Sequence, residues 1–126
     1  EYKSIGFVND NKKLNYIYSS ADFFIASSLQ DAFAKTFVES LACGTPVICF
    51  SDTFGTEVIH HKRNGFLVDD FDENKLKDGI EWISNEIKRK KFNEKIFDND
   101  ISKFDSELIA KQYIRLYKSI YKNLDE

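Results

Sequence analysis

The chain has 126 residues, enough for one domain that buries most of its apolar surface, and 42% of them are hydrophobic and 15% aromatic, which excludes a disordered chain. The net charge of −3 is spread over both halves, so no basic face for nucleic acid is implied. No stretch approaches the roughly 20 apolar residues that span a bilayer, and the opening residues do not read as a secretory leader.

In chain order, Ser4–Val8 reads as a strand and Asn9-Asp10-Asn11 as the turn after it. Leu14, Ile17 and Tyr18 at helical spacing predict a short helix. Asp22–Ala26 is a second strand, continuous rather than alternating, as expected when both faces are covered. The segment after Phe33 is helical, with Phe37, Val38, Leu41 and Ala42 on one face, Gly44 as its cap and Pro46 barring continuation. Pro46–Phe50 is a third strand. A loop around Gly55 leads to a short helix near Glu57–His61, and Asn64-Gly65 turns the chain into a fourth strand, Phe66–Val68.

Beyond it the pattern is helical. Asp72 caps a helix striped by Leu76, Ile80, Ile83 and Ile87, and the run Lys88–Lys91 ends the pattern. A last helix from about Asp105 carries Leu108, Ile109, Tyr113, Leu116, Tyr117, Ile120 and Tyr121, an aromatic stripe expected to pack in the core. The fold class expected is α/β: an incomplete doubly wound, Rossmann-like parallel sheet of about four strands with helices on both faces. Residues 1–126 then form a single partial domain, α/β to about residue 70 and helical over 71–126. The chain has no Met and starts at Glu1 just ahead of an apparent strand, so the expectation is a piece of something longer, with the missing strands before Glu1.

The stretch from Ser27 to Val47 carries the chemistry. It follows a strand and enters a helix, where open α/β sheets bind ligands, and free N–H groups at a helix start suit a phosphate. Asp31 and Glu39 lie eight residues apart, about 12 Å along a helix, too far to chelate one ion. Two readings stand at this point. Asp31 caps the helix and Glu39 pairs with Lys35 on its surface; or the two carboxylates flank an amide-lined phosphate site, holding a sugar at one end of a diphosphate and a ribose at the other.

The whole run Ser27-Ser28-Leu29-Gln30-Asp31-Ala32-Phe33-Ala34-Lys35-Thr36-Phe37-Val38-Glu39-Ser40-Leu41-Ala42-Cys43-Gly44-Thr45-Pro46-Val47 strongly resembles the signature of glycosyltransferase family 4, whose members have the two-domain GT-B architecture. Gly6-Phe7-Val8, Glu57-Val58-Ile59, Asn64-Gly65-Phe66-Leu67-Val68, Asp72 and Ile109–Tyr113 match further family features in order. The resemblance implies the C-terminal, donor-binding half of a retaining hexosyltransferase acting in surface glycan synthesis. It implies that Glu39 binds the ribose hydroxyls and that Asp31 contacts the donor sugar near the reacting carbon, as the catalytic candidate. Phe33, Ala34, Lys35 and Thr36 match the segment whose amides approach the phosphates and sugar, and Val8 and Asn9 fall close to the base.

The chain departs from the pattern at three places. Asp31 replaces Glu, Ala34 replaces Gly, and the loop Thr53–Thr56 is one residue short of the usual Gly-Gly loop. The family's Arg/Lys diphosphate clamp, catalytic His and acceptor site are expected on strands and an N-terminal domain not present in this sequence. The implied substrates are a UDP-, GDP- or ADP-sugar donor and a glycan or lipid-linked acceptor, with no cofactor, no metal and no nucleic-acid partner. A non-catalytic nucleotide-binding or interaction domain on the same scaffold is the alternative; a GT-B epimerase suits the Ala-Cys-Gly-Thr-Pro run less well.

Four other features are weighed. Cys43 and Cys49 match neither a redox pair nor a zinc knuckle and read as free buried thiols, in keeping with a cytoplasmic protein. His60 and His61, adjacent on a helix, would diverge by about 100° and do not suit joint metal ligation. Asp69, Asp70, Asp72 and Glu73 are explained by capping and the helix dipole. Lys88–Lys91 beside Phe92 reads as a solvated helix end, and leaves peripheral contact with the inner membrane face open.

Overall fold

The computed structural model describes residues 2–29, 35–51, 55–69, 72–90, 92, 97 and 101–124. The elements are α1 (Asn11–Ser20), β1 (Phe24–Ala26), α2 (Lys35–Ala42), β2 (Val47–Phe50), α3 (Gly55–Val58), β3 (Gly65–Val68), α4 (Glu73–Lys88), a 3₁₀ turn (Ser102–Phe104) and α5 (Ser106–Leu124). The strands form one parallel sheet in the order β1-β2-β3, pairing Phe24 with Val47 and Val47 with Gly65.

The central strand explains why its sequence is apolar at every position. Val47 and Cys49 face one layer, with Phe37 and Leu41 of α2, Val58 of α3 and Ile59. Ile48 faces the other, with Phe66 and Val68 of β3 and Ile83 of α4. Helices thus cover both faces, the arrangement that a continuous apolar run signals. Leu41, Val47, Ile48 and Ile83 are fully buried, each stabilising the fold by about 1.5–3 kcal/mol relative to exposure.

The helix ends follow local chemistry. Asp10 caps α1 by accepting from the Lys12 and Lys13 amides (2.8 and 3.1 Å), and Asp72 caps α4 by accepting from Asn74 (2.8 Å). The Gly44 amide donates to the Leu41 carbonyl (2.9 Å) with φ of +76°, closing α2 as expected.

Four expectations need correction. Ser4–Val8 is not a strand: Gly6 takes φ of +64°, which breaks an extended path, and Ile5 and Phe7 are 53% and 93% exposed. Among the described residues the sheet therefore has three strands rather than four. The helix placed near Glu57–His61 ends at Val58, and His61 instead bridges to Gly65 beside the sheet. Gly65, read as half of a turn, is the first residue of β3. A Cβ there would collide with the Val47 carbonyl oxygen and lie 2.8 Å from Ile59 Cγ2, so only Gly lets the strands approach. Lastly, the stripe of α5 is not core: Tyr113, Leu116, Tyr117 and Ile120 are 48–57% exposed.

Candidate functional site

The site forms where α1 crosses α2, next to the turn that returns the chain into β2. Glu39, on α2, is half-buried, and Lys35 and Thr36 at the start of that helix are exposed. Asp31, Phe33 and Ala34 lie outside the described residues.

Glu39 faces α1 across the helix–helix contact, on the wall of a hollow lined from both helices. It shares the wall of one hollow with Tyr18 of α1, and no Lys35–Glu39 ion pair is found among the described residues. Burial, and then the negative charge of Glu39, push the Tyr18 phenol above its usual range, so it stays neutral. The same two causes raise the Cys43 thiol. Held protonated beside a carboxylate, Cys43 is a poor nucleophile. Neither cysteine is in a disulfide, and Cys49 is buried as expected while Cys43 is only partly so.

Two hollows meet at this point. One, of about 280 Å³, is lined by Asn11, Asn15, Glu39 and Cys43. The other, of about 360 Å³, is lined by Ile5, Phe7, Val8 and Phe23. Leu14 and Tyr18 belong to both walls, so an apolar hollow abuts one that carries a carboxylate. A nucleoside has that polarity, with a flat ring beside a diol. Val8 thus lies next to the Glu39 site, although it is not on a strand.

The turn after α2 holds this arrangement rigid. Buried Ser40 donates through Oγ to the Thr45 carbonyl (3.0 Å), and buried Thr45 donates through Oγ1 to the Tyr18 carbonyl (2.7 Å). The Ser40 and Thr45 of the Ser-Leu-Ala-Cys-Gly-Thr run therefore tie α1 to α2. Sequence reasoning missed Tyr18, whose spacing reads as core; it is buried and also lines both hollows.

The remaining candidates do not join the site. His61 lies on Phe66 with ring centres 4.4 Å apart, and its Nδ1 accepts from the Leu67 amide at 3.1 Å. His60 donates its amide to the Asn64 side chain at 2.8 Å. Among the described residues no cluster of three or more His, Cys, Asp or Glu side chains could hold a metal ion, and no helix is long and apolar enough to cross a membrane.

Comparison with known proteins bears on this geometry. The family model described as glycosyl transferases group 1 matches residues 1–98. An uncharacterized glycosyltransferase of Methanocaldococcus jannaschii is 33% identical over 119 residues, covering 90% of this chain and 29% of that protein. The alpha-monoglucosyldiacylglycerol synthase of Streptococcus pneumoniae is 42% identical over 50 residues, 40% of this chain and 11% of that protein. Sucrose-phosphate synthase from Thermosynechococcus elongatus superposes with a TM-score of 0.75 at 25% identity, over 94% of this chain and 30% of that one. The chain thus spans less than a third of the length of these proteins. Matched over most of its length, with a Rossmann-like sheet that superposes on a GT-B enzyme, the chain belongs to the glycosyl transferases group 1 family.

Proposed function

We propose that this chain is the donor-binding part of a retaining glycosyltransferase. It takes a hexose from a UDP-, GDP- or ADP-sugar and serves its transfer to a glycan or lipid-linked acceptor, in surface polysaccharide synthesis at the cytoplasmic side of the membrane. The observation that carries this reading is Glu39 on the wall of a polar hollow that shares Leu14 and Tyr18 with an apolar one. An ionised carboxylate accepts two hydroxyl hydrogen bonds, which suits a ribose diol, while the base occupies the apolar hollow beside Val8. In this reading Lys35 and Thr36, one helical turn before Glu39, serve the diphosphate, and Asp31, which lies outside the described residues, serves the sugar.

Retention is supported by chemistry. The name of the streptococcal relative specifies an alpha product made on a lipid, and alpha-linked nucleotide sugars give that outcome only by retention. No metal takes part in this reading, because departing diphosphate is stabilised by preorganised positive charge elsewhere in the enzyme. For the same reason, and because the chain spans under a third of its relatives, the 126-residue chain alone is expected to turn over no nucleotide-hexose.

The test is calorimetric titration of UDP, GDP and ADP into the full-length protein, with EDTA present. Glu39→Gln removes the charge and one acceptor, and loss of charge-assisted hydrogen bonds of about 1.5–3 kcal/mol weakens binding roughly ten- to a hundredfold. Equal affinities of wild type and Glu39→Gln would remove Glu39 from the site and leave the functional reading resting on family membership alone.

A further inference from the structure

Helix α1 brings two asparagines to the hollow that Glu39 lines from α2. Asn11 and Asn15 are four residues apart, hence on one face of α1 and about 6 Å apart along its axis, and both stand on the wall of that 280 Å³ hollow. Neither is explained by the helix that carries it. Asp10 already caps α1 through the Lys12 and Lys13 amides, so Asn11 is not the cap. Asn15 stands mid-helix, where Asn is a poor helix former, and the Ser19 hydroxyl bonds its backbone carbonyl (2.7 Å) rather than its side chain. Both side chains are exposed and, among the described residues, have no hydrogen-bond partner.

We propose that Asn11 and Asn15 are specificity-determining residues, a hydrogen-bond-donating wall opposite Glu39 that selects a nucleotide whose ribose carries both hydroxyls. The inference rests on the reading of Glu39 above. An ionised carboxylate only accepts, whereas each ribose hydroxyl donates once and accepts as well. With both protons directed at Glu39, the hydroxyl oxygens still carry lone pairs, and a glutamate has nothing to offer them. The side chains lining the hollow that can donate are the two amides, the Tyr18 hydroxyl and the Cys43 thiol. Tyr18 is 8% exposed and a thiol is a weak donor, which leaves the amides. A deoxyribose lacks one of the two oxygens, so it forfeits a bond on both walls at once.

The experiment uses the full-length protein with UDP, GDP and ADP, and then the 2′-deoxy form of whichever binds. Wild type is expected to bind the ribose form more tightly. Ala is the stronger helix former, so the double variant Asn11→Ala/Asn15→Ala should keep the melting temperature. It should weaken the ribose form about three- to tenfold and narrow the ribose-to-deoxy ratio by a similar factor. Asn15→Asp keeps the shape but exchanges a donor for a second carboxylate on the hollow of Glu39. It should weaken binding more than Asn15→Ala, and that excess should shrink when Glu39→Gln is added. Wild-type affinity and ratio in the double alanine variant, with Glu39→Gln still weakening the ribose form, would make the asparagines plain surface and overturn the proposal, with the reading of Glu39 intact. A double variant that loses ribose and deoxy forms equally also overturns it, because the contact then lies elsewhere on the nucleotide. If Glu39→Gln leaves affinity and ratio unchanged, the ribose reading fails first and the proposal with it.

Discussion

Helices α2 and α5 carry the same kind of sequence signal and meet opposite fates. Each has an apolar stripe at helical spacing. On α2, Phe37 and Leu41 are 1% and 0% exposed, sealed against the sheet. On α5, Tyr117 and Tyr121 are 57% and 73% exposed, and the helix packs chiefly against the 3₁₀ turn just before it. Amphipathic spacing states which residues share a face. Whether the face is covered depends on what stands opposite, and that is a property of the tertiary structure.

The contrast can be broken by mutation. Leu41→Ala should destabilise by about 2–5 kcal/mol, because a fully enclosed site cannot collapse around the lost atoms. Leu116→Ala, at a residue 52% exposed, should stay within about 0.5 kcal/mol. Urea unfolding of the 126-residue chain measures both, and comparable losses would show that α5 is covered after all.

A smaller effect sharpens the description of the packed region. Gly65→Ala puts a methyl against the Val47 carbonyl and Ile59, where backbone must move, and should lose about 1–3 kcal/mol. An Ala tolerated without loss in the same unfolding experiment would mean that β2 and β3 are not so close.

The smallest effect is a pH dependence confined to the sheet side. Burial, then the Lys62 charge, hold His61 below its usual 6.5, and its Nδ1 must be unprotonated to accept from Leu67. A base whose folded value is lowered binds fewer protons folded than unfolded. Its contribution is therefore complete above about pH 6.5 and fades as pH falls from there toward the lowered value. The drop should be slight, since the ring is largely exposed, and His61→Phe should flatten that part of the melting-temperature profile. The α5 segment has no histidine, so its helicity should not follow this window. A slope unchanged in His61→Phe would assign it to another group.

The sequence determined by itself whatever depends on neighbouring residues. The three strands that form are continuous apolar runs of the length and composition of buried strands, and each was legible to within two residues. Asp72 and Gly44 were legible as caps because capping is local chemistry. Glu39 stood out because a long motif surrounds it.

Tertiary structure decided the rest, because those outcomes depend on partners far along the chain. Ser4–Val8 has the composition of a strand, yet a strand exists only where a neighbour accepts its backbone hydrogen bonds, and Gly6 turns away instead. Gly65 is needed because of Val47, and nothing in Asn64-Gly65 names Val47. Residues alone left Glu39 open between a Lys35 partner and a ligand; the fold put it on the wall of a hollow shared with Tyr18, a residue that helical spacing had assigned to the core. Local pattern fixes the kind of each element. Contact across the sequence decides what each one touches, and in this chain the candidate site is made of such contacts.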